Sequence, residues 1–474
     1  MMLEEIRYRN GFLFTQEHSI EAKTPSGWNM ISPAGARLFY HPSAKVTART
    51  NASSTVVLIG HCFNPKAAHF GSSEIAESIL KVASQRLQLL NLLDELAGRF
   101  ALLVCNNCTW EIFHDAIGSR SVFYHKSERV ISSHAGLIAD CLGLRYGDYF
   151  IPFLTSKNYQ EKDVKYLPGN WTPFDEIRQL TPNTSITTLR MEVRRYWPRE
   201  QLSSTSSINE AAEQLTEHLA ALKHFLKDQE SHVFMGLTGG NDSRGLYAAL
   251  HDLKPELFTW VRSKDGTQSK SEDSEAAKAI ADLYGQNVHI WQLSSPRLNV
   301  VGDNLSVAFR EATACYRGPT SAWLKPMVAL NKDYDNSIFV RGFGGEILRG
   351  FYQDSSHRIR EGSAAELSRT YDINGGSDLT RTAFSEFIDT TSFDREFFLG
   401  RDVNDMFYWE HRMGTWGSVA MSEADIAIIG ITGYNSRLLF DTFLGMDYEL
   451  RKSREATALS AHSLAPGLQQ IPVV

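Results

Sequence analysis

VFMGLTGGNDSR, residues 233–244, joins an apolar strand to the loop Thr238-Gly239-Gly240-Asn241-Asp242-Ser243 and then to the helix-forming LYAAL. Leu237 ends the apolar run. Paired glycines let backbone N–H groups approach oxygen anions, and the N-terminus of the following helix adds positive partial charge. Thr238 and Ser243 can donate hydroxyl hydrogen bonds. Asp242 would repel a bare phosphate but suits a magnesium ion carried by one. The loop has no lysine and no Gly-Lys-Ser/Thr ending, so it is not of the Walker type. Two glycines alone would imply only a tight strand–turn–helix connection. The whole string predicts a polyphosphate site.

Around this loop, from about Ile208, long helical stretches alternate with the isolated apolar runs VFMGL, ELFTWV, VHIWQL and SIFVRGF. That alternation predicts a parallel sheet with crossover helices, whose ligands sit beyond the carboxyl ends of the strands. The run SIFVRGFGGEILRGFY (337–352) carries a second glycine loop with one carboxylate, Glu346, and the arginines Arg341 and Arg349. Before residue 200 the pattern differs: short β-like runs at 9–14, 55–63, 99–105, 109–115, 122–125 and 130–133, a helical stretch over 75–98 and another near 136–143. A strand pair is expected over 181–198, with the polar 199–207 as linker. The expected division is 1–200 and 201–474.

Composition bounds the rest. The chain has 474 residues, enough for two cores. Its formal charge of −7 gives no reason to expect nucleic acid or an anionic membrane as partner. Five cysteines spread over this length read as reduced thiols of a cytoplasmic protein. Cys105-Asn-Asn-Cys108 stands alone and continues an apolar run, which favours a strand and turn over a metal site. No stretch reads as a membrane span, and the charged start MMLEEIRYRN does not read as a signal peptide.

The string at 238–243 resembles the SGGxDS pyrophosphate loop of the asparagine-synthetase-like ATP pyrophosphatases, with Thr238 in place of the first serine. LAGRFALLV (96–104) and FHDAIGSRSVFYH (113–125) resemble the glutaminase-type domain that precedes it in that family, through Gly98, Phe100, Asp115, Gly118, Arg120 and Tyr124. The resemblance implies an α/β protein: a front αββα domain of the Ntn-hydrolase kind and a pyrophosphatase domain with a parallel sheet. It implies ATP and Mg2+ as cofactors. Thr238, Gly239, Gly240, Asp242, Ser243 and Leu237 would hold the nucleotide, together with Gly342 and Gly344 of the second loop. Asp242 and Glu346 would be the metal ligands. Thr259 and Val261, on the second strand, are candidates to flank the adenine, although core packing explains them equally well. Glu272 and Asp273 fall near the family's acidic helix start, where N-capping is an equal reading.

Functional members of that family use an N-terminal cysteine as glutaminase nucleophile. Here the second residue is Met2 and the earliest cysteine is Cys62, inside a strand by pattern. The resemblance is therefore nearest the β-lactam synthetase and lasso-peptide macrolactam synthetase branch. It implies an ATP-dependent ligase that adenylates a carboxylate and lets an amine displace AMP. The partners would be small-molecule or peptide carboxylates and amines, and a homodimer is left open. Two rivals remain: an ammonia-dependent asparagine synthetase, and a non-catalytic ATP-binding scaffold. Nucleotide thiolation would call for more thiols than the single Cys315 of the second part. Arg349, Glu410 and Arg412 are the candidate catalytic residues. Glu410, in MFYWEHRMGTWGS, reads more readily as half of a buried ion pair, and Arg437 as structural. Phe343 stands where the family carries a proton-transferring or acidic side chain, and no C-terminal lysine aligns with the family's.

Overall fold

The computed structural model describes residues 2–17, 20, 23–67, 71–204, 207–262, 271–293, 297–298, 303–314, 320–334, 336–353 and 358–473. Cys315 lies outside them.

Two six-stranded antiparallel sheets come from the first two hundred residues. One runs in the order Asn29–Ile31, Arg37–Tyr40, Phe12–Thr15, Val130–Ser132, Phe123–His125, Ile177–Gln179. The other runs Val46–Thr50, Ser54–Phe63, Ala97–Asn106, Thr109–His114, Thr184–Thr187, Glu192–Arg195. Side chains alternate across each strand, so every second apolar residue faces the opposing sheet. Phe14, Leu38 and Ile131 from one sheet meet Val57, Ala101 and Ile112 from the other in one buried cluster. The helix Ser72–Val82 packs outside the second sheet and Ala135–Leu142 outside the first. The layers are therefore α, β, β, α. Cys105 is the penultimate residue of a strand and Cys108 sits in the two-residue turn of its hairpin; both are free thiols.

The expected helix over 75–98 is two helices, Ser72–Val82 and Arg86–Glu95. The break has a tertiary cause: the Asn106 amide donates to the Ala83 carbonyl (2.8 Å) and caps the first helix there.

A five-stranded, wholly parallel sheet follows, in the order Val288–Leu293, Glu256–Arg262, His232–Gly236, Ser337–Arg341, Gly430–Thr432. The chain enters in the middle, moves out to one edge, then returns to build the other side. His232–Gly236 and Ser337–Arg341 are thus neighbours at the point where the winding reverses, and the crevice of such a sheet opens beyond their carboxyl ends. One face is covered by Ile208–Asp228, Asn241–Leu250 and Glu455–Leu464. On the other, Phe234, Phe258 and Phe339 pack with Phe309, Trp323 and Met327.

The two sheet systems are joined through buried polar contacts. Asp115 accepts from the backbone N–H groups of Phe100, Ser119 and Arg120 and from the Asn435 amide (2.7 Å). Asn435 also donates to Gly98 O and accepts from Ile117 N–H. Gly98 and Gly118 have φ of +109° and +64°, which only glycine adopts without strain. The stretch 98–120 thereby fixes a joint between the layers, not a nucleophile. Met2 is exposed just before the four-residue helix Leu3–Ile6, and burial pushes the Cys62 thiol well up, so neither is poised to attack a carbonyl. Among the described residues no helix is long and apolar enough to cross a membrane.

Candidate functional site

The glycine loop follows its strand directly. Leu237 N–H still bonds Phe258 O of the adjacent strand (2.9 Å), and the helix Asn241–Leu250 begins four residues later, capped by Gly240. Within the loop the Ser243 hydroxyl accepts from Thr238 N–H (3.1 Å) and lies 3.0 Å from the Thr238 hydroxyl. Gly239 N–H donates to Asp273 Oδ1 (3.0 Å). Asp273 thus belongs to the loop, while Ser271 performs the N-capping of its own helix. The N–H groups of Asn241, Asp242 and Ser243, the first turn of the helix, make no hydrogen bond among the described residues. They are free donors at the positive end of the helix dipole. Arg244 is buried and anchors the base of the loop, donating to the carbonyls of Leu468, Ile471 and Pro472.

The second loop lies against the first. A side chain built on Gly345 would meet Asp242 Cγ at 2.6 Å, and one on Gly342 would meet Asp242 Cβ at 3.5 Å. Glycine at both positions is what lets the Asp242 carboxylate rest there. Gly344 has φ of +99° and turns the chain into the short helix Gly345–Leu348. Glu346 follows, and its Oε2 is buried without a partner. Burial, then the charge of Asp242, push the Glu346 carboxyl up to about 7 from an ordinary 4.5. Burial likewise raises Asp242, against the pull of Arg349 and Arg454.

Two buried carboxylates, one raised by the charge of the other and left with an orphaned oxygen, fit a divalent cation. Among the described residues no group of three or more His, Cys, Asp or Glu gathers for a metal. Such a cation would therefore take the rest of its ligands from phosphate and water, the habit of magnesium.

Arg349 approaches Asp242 at 3.8 Å. Arg454, absent from the sequence-based candidates, lines the same narrow crevice with Asn241, Asp242, Gly345 and Arg349. Arg451, also missed, bonds the carbonyls of Ile347 and Leu348 and pairs with buried Asp405 on both oxygens (2.8 Å each), bracing the second loop. Arginines more than a hundred residues beyond a loop leave no local signal of these roles.

Thr259 and Val261 are buried and lie on the strand beside the glycine loop, one residue and three beyond the Phe258 that bonds Leu237. Trp260, between them, faces the other way and is exposed. Arg412 stands apart from the carboxylates, among Tyr166 (3.4 Å from its hydroxyl), Trp416 and Tyr352. This group is built on the π-helical segment Tyr408–Gly417, a geometry frequent at functional sites. Tyr408 from the same segment feels the Glu346 charge, and burial drives its hydroxyl well up. Burial alone would raise Tyr166 too, but Arg412 and Lys162 outweigh it and leave it lowered.

Glu410 does not belong to this group. It is fully buried, takes both guanidinium arms of Arg195 at 2.6 and 2.7 Å, and accepts from Asn183 (3.0 Å). Both of its oxygens are committed to these partners and none of its surface faces the crevice. Arg437 is equally structural, bonded to Asn183 Oδ1 (3.0 Å). Phe343 is packed against Trp416, with Arg341 stacked 3.8 Å over its ring.

No family model matches the sequence, and no curated protein matches it. Solved structures that resemble it include glutamine phosphoribosylpyrophosphate amidotransferase from B. subtilis complexed with ADP and GMP. That match has 12% identity, 74% of this chain, 72% of that one and a TM-score of 0.25. An allosteric regulatory enzyme of purine biosynthesis matches with 13% identity over 73% and 72%, TM-score 0.25. NAD+ synthetase from Burkholderia pseudomallei matches with 12% identity over 57% and 93%, TM-score 0.19. At these TM-scores the likenesses carry no argument, and the assignment rests on the site itself.

Proposed function

We propose that this chain is an ATP-dependent carbon–nitrogen ligase that forms an amide through an acyl-adenylate, without glutaminase activity. The observation that carries the reading is the pair Asp242 and Glu346, brought together by two glycine loops at the reversal point of the parallel sheet. In the reaction, a substrate carboxylate oxygen bonds to the α-phosphorus of ATP. The bond to the β-phosphate oxygen breaks, and pyrophosphate leaves with its electron pair. An amine nitrogen then bonds the acyl carbon, AMP departs with the acyl oxygen, and the amine proton is lost to a base.

Thr238, Ser243 and the free first-turn N–H groups orient phosphate oxygens. Asp242 and Glu346 would hold a magnesium ion, which when bound would screen charge on the phosphates. Arg349 and Arg454, beside Asp242, stabilise the pyrophosphate as it leaves. The Tyr166–Arg412–Tyr352 group forms the acceptor side, where Arg412 favours the ionised Tyr166 that takes the amine proton. The front layers shape and support this site. The domain division stays at residue 200.

Phe343 favours a second reading, an ATP-binding scaffold, because it can neither give nor take a proton. A panel of carboxylic acids scored for ATP-dependent pyrophosphate release, followed by mass analysis of products, separates the two. Release with at least one acid and an amide product supports the ligase. MgATP binding with no release across the panel supports the scaffold.

A further inference from the structure

A second cleft lies at the opposite end of the parallel sheet from the glycine loops. Ser231 precedes the central strand His232–Gly236 and Ser337 begins its neighbour, and both line this cleft with Arg9, Lys45 and His61. It is an open cleft with about 530 Å3 of free space, ample for a small organic molecule. Arg9 and Lys45 are its charged side chains, and among the described residues no carboxylate lines it.

The charges around it do not balance. His61 feels Lys45, Arg99 and Arg120 together, and Arg9 and Arg120 both feel Asp425. Among the described residues two buried carboxylates stand against these four cations, both already committed, besides the exposed Asp228 that acts on Lys45. Asp425 takes Arg99 on both oxygens (2.6 and 2.8 Å) and the Asn10 amide (3.0 Å). Asp115 serves the four donors at the joint described above. Among the described residues Lys45 donates to the neutral Gln229 side chain, and the charge of the exposed Asp228 also acts on it. Arg9 donates to the carbonyl of Ile426 (3.1 Å).

Arg9 and Lys45 feel Asp425 and Asp228 from a distance, but among the described residues neither pairs with a carboxylate, so an anion that joined them would be favoured. His61 adds no third positive charge. Burial, then Lys45 and the two arginines, push its pKa to about 3, so it is neutral at pH 7, and its Nδ1 is buried without a partner.

We infer that this cleft binds a small dianion of the phosphate-ester class, its phosphate held between Lys45 and Arg9 beside His61 and the Ser231 and Ser337 hydroxyls. Two cations match the charge of a phosphate monoester, and the hydroxyls suit its remaining oxygens. The ligand would tie the front layers to the rear of the parallel sheet. The inference is independent of the nucleotide reading, because none of these residues touches the glycine loops.

Calorimetric titration of the full chain with inorganic phosphate tests it, using wild type, Lys45→Gln, Lys45→Arg and Ser243→Ala. Lys45 is half-exposed at the cleft wall, so its variants should fold, and Lys45→Arg controls for shape. The expected pattern is phosphate binding that Lys45→Gln weakens by about tenfold or more, and that Lys45→Arg and Ser243→Ala retain. In crystals soaked with selenate, an anomalous peak is expected between Lys45 and Arg9. Absence of binding, or binding lost in Ser243→Ala and kept in Lys45→Gln, overturns the inference. Succinate binding more tightly than phosphate overturns the assignment of ligand class.

Discussion

Replacing Glu346 with glutamine keeps the shape of the side chain and removes its charge, which should stabilise the protein at alkaline pH. An unfolded Glu346 loses its proton near 4.5, whereas the folded one keeps it to about 7. Below 4.5 both states hold the proton and nothing is lost. As pH rises through the interval the folded state forfeits the difference, because it must ionise a buried group facing Asp242. The interval of about 2.5 pH units corresponds to about 3 kcal/mol at roughly 1.4 kcal/mol per unit. Urea unfolding at pH 8 should therefore find Glu346→Gln more stable than wild type by up to about 3 kcal/mol, an advantage that shrinks below about 1 kcal/mol near pH 4.5. Magnesium with ATP should raise the wild-type unfolding midpoint and leave that of the variant unmoved. A variant less stable than wild type at pH 8, or changed equally at both pH values, would refute the reasoning.

Three further outcomes are expected. Gly345→Ala places a methyl 2.6 Å from Asp242 Cγ, so it should lose about 1–3 kcal/mol in urea unfolding and lose MgATP binding by calorimetry. Glu410→Ala leaves Arg195 buried without its carboxylate, and should lower stability by about 3–5 kcal/mol while any folded protein binds MgATP as wild type does. Tyr166→Phe should slow amide formation by about 10–100-fold and flatten its pH profile, with nucleotide affinity unchanged in the same calorimetric assay.

The parts of the fold that were legible in the sequence are those whose cause is local. VFMGL and SIFVR are apolar runs whose central residues are buried on both faces of a parallel sheet, while ELFTWV and the edge strand VHIWQL keep exposed positions, and the apolar runs alone mark all four as strands. The fifth strand, Gly430–Thr432, escaped because three residues show no periodicity and their burial comes from Phe339 beside them. Asn29–Ile31 escaped because it is a largely exposed edge strand. Within the site, the two glycine loops could be read because glycine and carboxylate spacing is dictated by what must approach an anion. Asp273 was read correctly as belonging near a helix start, but its bond to Gly239 N–H spans 34 residues. Arg454 and Arg451 reach the loops from about a hundred residues away in sequence or further, and Glu410 finds Arg195 215 residues back. Such partners are set by packing of whole layers, and no short window of sequence holds them.

The most direct test of the central claim is calorimetric titration of MgATP into wild type and Asp242→Ala. Asp242 lies between the loops, with Arg349 at 3.8 Å and Gly345 beneath it. Removing it should weaken MgATP by about tenfold or more and abolish the magnesium dependence that wild type shows. Equal affinity in the two proteins, or no binding by either, would contradict the account.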